Sequence, residues 1–129
     1  MPVVLDASAL VELLLQSDRA PAVLQVIGST ELTAPDVINL EILSTLRRLE
    51  SVGALPADRA RQAVEDLRLA QVQRFPTLPL LPAVWELRAN VTSYDACYVA
   101  LAEALGCTLI TADLKLSRAP RLGVPLITV

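Results

Sequence analysis

Residues 93–113 read Ser-Tyr-Asp-Ala-Cys-Tyr-Val-Ala-Leu-Ala-Glu-Ala-Leu-Gly-Cys-Thr-Leu-Ile-Thr-Ala-Asp, and this stretch decides the fold. Ser93 has the short hydroxyl side chain of a helix N-cap. The run from Tyr94 to Leu105 is rich in alanine and leucine and predicts a helix. Gly106 suits the left-handed position that stops one. Thr108 to Thr111 is then a short apolar, β-branched strand, and Asp113 follows it almost at once. A helix feeding directly into a buried strand is half of a crossover unit, the signature of an α/β layer with a parallel sheet.

The same alternation extends in both directions. Val3 to Leu5 predicts a buried strand, followed by a helix over Ser8 to Leu15. Glu31 to Ala34 reads as a second strand. Pro35 suits the first turn of a helix reaching Glu50, whose apolar stripe is Ile38, Ile42, Leu46 and Leu49. After a turn at Gly53 and Pro56, residues 57–74 read as a helix with Ala60, Ala63, Val64 and Leu67 at helical spacing. Prolines 76, 79 and 82 bracket Leu80-Leu81, read as a short edge strand, before a short helix around Trp85. Val124 to Val129 closes the chain as a strand. No repeat or linker interrupts residues 1–129, so one domain is expected.

Composition narrows the chemistry. Hydrophobic residues make up 53%, which excludes a disordered chain. No apolar run reaches the roughly 18 residues of a membrane span, and the N-terminal segment carries Asp6 and Glu12 without a basic leader. The expected compartment is the cytoplasm. Cys97 and Cys107, both in apolar segments, read as buried thiols. There is no histidine, which removes catalytic triads, imidazole bases and most zinc sites. Glycine-rich phosphate loops are absent. The formal charge of −3 argues mildly against general nucleic-acid binding, although neutralising several acids with a metal would reverse the balance.

Whatever chemistry occurs must come from carboxylates, hydroxyls, arginines or a bound cofactor, and the carboxylates fall at telling positions. Asp6 and Asp113 each follow a strand, where ligands bind in open parallel sheets. Asp95 lies in a first helical turn. Glu41 lies off its helix's apolar stripe, near Ser44, Thr45 and Arg48. Taken singly, each has a plainer reading: turn residues for Asp6 and Asp113, a dipole partner for Asp95, a solvated helix position for Glu41. Asp36 reads as a helix-start residue and not a ligand. Arg47, Arg48, Arg59, Arg61, Lys115, Arg118 and Arg121 read as solvated, with Lys115 or Arg118 close enough in sequence to meet a phosphate. Trp85 and Phe75 read as packing, and Tyr94 and Tyr98 flank Asp95. Several carboxylates in one cleft repel each other unless a hard cation such as Mg²⁺ or Mn²⁺ joins them. Such an acid-only site fits phosphodiester hydrolysis.

Four elements, in order, resemble the PIN-domain family, and within it the VapC-type toxins. They are Val4-Leu5-Asp6-Ala7-Ser8, Ala34-Pro35-Asp36 through Asn39-Leu40-Glu41-Ile42, Ser93-Tyr94-Asp95 through Glu103, and Leu109-Ile110-Thr111-Ala112-Asp113. The resemblance spans nearly the whole chain. It implies a three-layer α/β/α domain with a mostly parallel central sheet. It implies one acidic pocket in which Asp6, Asp95 and Asp113 are the main ligands of Mg²⁺ or Mn²⁺. Glu41 would bind metal or orient the attacking water, and Ser8 and Thr111 would support the acids. It further implies an RNA substrate, a cognate antitoxin and a homodimer. This sequence has Leu114 and Leu116 where some relatives carry a further acid, which leaves the number of metals open.

Rival readings are weaker. An aspartyl phosphatase would need an acid where Ser8 stands, and a receiver domain would need its acceptor near mid-chain, where Asp58 opens an arginine-rich helix. The serious alternative is a catalytically silent scaffold of the same fold.

Overall fold

The computed structural model describes residues 1–119 and 122–129. Five strands form one fully parallel sheet: β1 (Pro2–Leu5), β2 (Glu31–Pro35), β3 (Val72–Phe75), β4 (Leu109–Thr111) and β5 (Leu126–Thr128). Their spatial order is β3-β2-β1-β4-β5. The chain steps outward from β1 to β3, then returns to the other side of β1 for β4 and β5. The direction of winding thus reverses between β1 and β4, which opens a crevice beyond their carboxyl ends.

Among the described residues the helices are α1 (Ala7–Leu14), α2 (Ala20–Ile27), α3 (Ile38–Ser51), α4 (Ala57–Leu69), α5 (Leu81–Glu86), α6 (Ser93–Leu105) and α7 (Leu114–Ser117). Helices α1 to α4 pack against one another, with α1 on β4; α6 lies against β1, β2 and β4 and is covered by α5. This is the expected three-layer α/β/α arrangement. Every residue from Ala96 to Ala102 is buried. A helix buried on all sides has no polar face, and its alanines let it sit close to the sheet. Val4, Leu5, Leu109 and Ile110 fill the centre at 0–1% exposure. Each such side chain contributes about 1.5–3 kcal/mol through burial. Among the described residues no helix is long and apolar enough to cross a membrane.

The start of α6 differs by one residue from expectation, and its end is as expected. Thr92, not Ser93, is the N-cap: its hydroxyl accepts the Asp95 backbone N–H at 3.2 Å. Gly106 ends the helix in the left-handed conformation, φ +63°. Thr92→Ala is expected to cost about 1 kcal/mol, read as a lower urea midpoint at unchanged slope, and Ser93→Ala a few tenths at most.

The segment between α4 and α5 corrects the sequence reading. The helix read over residues 57–74 stops at Leu69, and the strand placed at Leu80-Leu81 is instead β3 at Val72–Phe75. Arg74 explains the stop. Its guanidinium donates to the carbonyls of Leu67 (2.8 Å), Ala70 (3.1 Å) and Val72 (3.0 Å), satisfying helix-end acceptors that a further turn would have used. Leu80 and Leu81 lie in a 3₁₀ turn and the start of α5, with Pro79 and Pro82 at first-turn positions that need no N–H. Pro35 closes β2 beside Phe75, so α3 begins at Ile38 and not at the proline.

Helix α2 has no counterpart in the sequence reading. Pro21 opens it, but only Ala20, Val23 and Ile27 are buried, too few for a clear stripe. Three side chains also sit differently from expectation. Val64 is 39% and Trp85 64% exposed, so neither is core. Arg59 is half-buried, not solvated, and donates to the Leu14 carbonyl at the end of α1. Arg121 lies outside the described residues.

Candidate active site

The register of β1 with β4 builds the floor of the site. Val4 pairs with Leu109 and Leu5 with Ile110. One step further, Asp6 comes level with Thr111, and the Asp6 N–H donates to the Ile110 carbonyl at 2.9 Å. Asp6 is 4% exposed and Thr111 fully buried. Asp6 Oδ2 accepts two hydroxyls, Ser8 Oγ at 2.6 Å and Thr111 Oγ1 at 2.9 Å. Those hydroxyls are themselves anchored by backbone: Ser8 Oγ accepts the Ala112 N–H at 3.0 Å, and Thr111 Oγ1 accepts the Asp113 N–H at 2.9 Å. The network locks Asp6 in one orientation and ties the loop after β4 to the start of α1.

Asp113 caps α7, accepting the Lys115 N–H at 2.8 Å. Glu41 comes from α3, and its Oε1 accepts the Tyr98 hydroxyl at 2.6 Å. Asp95 comes from the first turn of α6. A cleft of about 480 Å³ is lined by Asp6, Ser8, Glu41, Asp95 and Asp113, with Tyr94 among its walls. The structure thus brings all four sequence-selected acids together. Ser8 lines the cleft directly, whereas Thr111 acts from behind Asp6. Asp36 stays out of it and lines an adjacent apolar groove.

Tyr98 is the participant the sequence reading did not place in the site. It lies one turn after Asp95 on α6, on the same helical face. That spacing is the signal that could have found it. Its ring is fully buried and its hydroxyl faces Glu41, so one residue serves both core and site.

Burial is the main cause raising the carboxyl groups of Asp6, Glu41 and Asp95 above their ordinary range. The Ser8 and Thr111 hydroxyls oppose it at Asp6, and Asp113 adds to it. At Glu41 the Tyr98 hydroxyl opposes it, while Asp6 and Asp95 add to it. Asp95 is pushed up further by Asp6 and Asp113, against Thr92 and Lys115. The Cys97 thiol is raised by burial and then by Glu41 and Asp36, as expected of an inert buried cysteine.

Carboxylates that repel one another in a half-dry cleft form a donor set suited to a hard divalent cation. Among the described residues no three of them are drawn close enough to enclose an ion unaided. Mg²⁺ keeps several waters and takes only one or two carboxylates directly, so acids lining one cleft can hold it partly through those waters. The residues present therefore fit such an ion.

The chain matches the family model described as "PIN domain" over residues 3–122. It is 42% identical over 127 residues to Ribonuclease VapC9 of Mycobacterium tuberculosis, covering 98% of each chain. It is 42% identical over 118 residues to Ribonuclease VapC3 of the same organism, covering 91% of this chain and 86% of the relative. Among solved structures, VapBC2 from Rickettsia felis, bound to a promoter DNA fragment, superposes with a TM-score of 0.70 at 16% identity, covering 99% of this chain and 98% of the other. Mycobacterium tuberculosis VapC20, a sarcin-ricin-loop-cleaving toxin, superposes with a TM-score of 0.68 at 19% identity, covering 89% and 92%. At such identities the superpositions speak for the fold alone.

Proposed function

The chain belongs to the PIN-domain family, in its VapC branch, and from that premise we propose that it is an endoribonuclease, the toxin of a toxin–antitoxin pair, dependent on Mg²⁺ or Mn²⁺. The single observation that carries this reading is the convergence of Asp6, Glu41, Asp95 and Asp113 on one cleft at the sheet's switch point. A silent scaffold has no use for four mutually repelling acids, three of them raised by burial.

Asp6, Asp95 and Asp113 would hold the ion, one or two of them directly and the rest through its waters, and Glu41 would bind it or orient the attacking water. When bound, a divalent ion supplies positive charge that acidifies water and offsets the charge building on a phosphate under attack. The chain's own residues do the rest. Ser8 and Thr111 fix Asp6, so its carboxylate would need no reorganisation to hold a cation. Tyr98 holds one oxygen of Glu41; the other has no hydrogen-bond partner among the described residues. Glu41 takes a proton from the attacking water as general base. Water oxygen bonds to phosphorus, the bond from phosphorus to the leaving ribose oxygen breaks, that oxygen takes a proton from solvent water, and Glu41 returns its own proton to solvent.

The antitoxin partner is proposed on the relatives' behaviour and on one surface. An apolar groove of about 840 Å³ adjoins the acid cleft. On it Leu40, Leu81, Trp85 and Tyr94 are each more than half exposed. Contiguous apolar surface of this kind suits a partner helix or strand. A homodimer and a cytoplasmic setting complete the proposal.

The test is RNA cleavage by the purified chain, freed of any co-purified partner. Cleavage is expected with Mg²⁺ or Mn²⁺ and none with EDTA. Absence of both cleavage and divalent-ion binding would overturn the reading in favour of the scaffold.

A further inference from the structure

A second cleft, of about 650 Å³, opens on the far side of Asp95. Its walls carry Arg88, Asn90, Thr92, Lys115 and Arg118, and Asp95 is the residue it shares with the acid cleft. Three of the chain's 11 basic residues thus border one opening, beside the most acidic feature of a protein whose formal charge is −3. Among the described residues the one ion pair is Arg68–Glu65, so neither Lys115 nor Arg118 is in contact with a carboxylate, although Lys115 lies close enough to Asp95 to favour its charged form. Arg88 is held in place: its guanidinium stacks 4.5 Å from the Trp85 ring centroid and donates to the Trp85 carbonyl at 2.9 Å. A cation fixed in advance loses less side-chain entropy on meeting an anion.

The acid cleft alone repels a polyanion, and a ribonuclease must still attract one. Phosphate contacts supply most of the affinity for nucleic acid, and they need local cations. Resting on the ribonuclease reading, we propose that this basic cleft is the subsite for the RNA backbone next to the scissile phosphate. A strand crossing Asp95 leaves the acids and lays its neighbouring phosphates along Lys115, Arg118 and Arg88. Contacts of this kind position the strand without reading its sequence, so the cleft serves affinity and register, not base choice.

The experiment is titration of a labelled single-stranded RNA 12-mer across a range of salt, read by fluorescence anisotropy. It uses the Asp6→Asn chain, with Mg²⁺ present, and the same chain carrying Lys115→Gln and Arg118→Gln. Both substituted side chains are exposed, so the fold is retained. The double change is expected to weaken binding roughly tenfold or more and to flatten the log–log salt slope by about 1.4, at about 0.7 per lost phosphate contact. Arg47→Gln with Arg61→Gln removes the same charge from the separate α3–α4 groove and is expected to change neither. Equal loss from both pairs, or no loss from the cleft pair, overturns the proposal. So does a polyglutamate peptide that responds to the cleft pair while RNA does not, which would assign the cleft to an acidic protein segment. Cleavage by the unsubstituted chain, measured in parallel, separates the two readings. Cleavage with cleft-independent binding sinks only the subsite, whereas cleft-dependent RNA binding with neither cleavage nor divalent-ion binding sinks only the ribonuclease.

Discussion

Asp6→Asn is expected to abolish RNA cleavage, by about 10³-fold or more, equivalent to roughly 4 kcal/mol of transition-state stabilisation, while the fold survives. Asp6 sits where β1 ends beside β4, with 4% exposure and two hydroxyls on one oxygen. Asparagine has the same shape. Its carbonyl oxygen, in the place of Oδ2, can accept both hydroxyls. What it lacks is charge, and charge is what a divalent ion needs from the site. Asp95→Asn is expected to behave alike, since Asp95 faces the same cleft from α6. Asp36→Asn, on the neighbouring groove, is the matched control and should leave cleavage within about twofold. The measurement is the initial rate of RNA cleavage in Mg²⁺, with circular dichroism to confirm folding. Full activity in both the Asp6 and Asp95 variants would sink the assignment of the acids.

The second large effect is on stability. Saturating Mn²⁺ is expected to stabilise the chain by about 2.7 kcal/mol at a hundredfold excess over its dissociation constant, roughly 10 °C in melting temperature for a domain of this size. The Asp6→Asn chain should lose most of that response. In EDTA the order reverses. Asp6, Glu41 and Asp95 have raised carboxyl groups in the fold, so the folded state holds protons more tightly than the unfolded one. Their penalty is absent below the ordinary values of 3.8 for aspartate and 4.5 for glutamate. It grows as the pH rises through the raised folded values and is complete above them. The chelated chain should therefore gain stability relative to chelated Asp6→Asn as the pH falls from neutrality, with the variant the more stable of the two at pH 7. Urea unfolding of both proteins at several pH values measures this difference directly. A wild-type chain that is the more stable one in EDTA at pH 7 would show that hydrogen bonding outweighs burial at Asp6.

Most of the fold was legible because the signals were local. The N-cap hydroxyls before α6, Gly106 after it, and the β-branched run of β4 each act within a few residues. The β3 strand was misplaced because its cause is not local. Val72–Phe75 is a strand only because β2 offers it an edge, and α4 ends at Leu69 because Arg74 folds back on its carbonyls. Trp85 was read as packing because aromatics are scarce, yet it lies exposed beneath Arg88.

The sequence by itself determined which residues could do chemistry. With no histidine in the chain, carboxylates, hydroxyls, arginines or a cofactor were left to carry chemistry, and the four motifs around the acids, in order, resembled the family. Tertiary structure alone decided that these four acids share one cleft, because they lie up to 107 positions apart and meet only through the pairing of β1 with β4 and the packing of α3 and α6 around it. It alone placed the Tyr98 hydroxyl on Glu41, and it alone brought Arg88 to the same opening as Lys115 and Arg118. Charge, burial and hydrogen bonding between distant residues depend on distance in space, which a linear sequence does not hold.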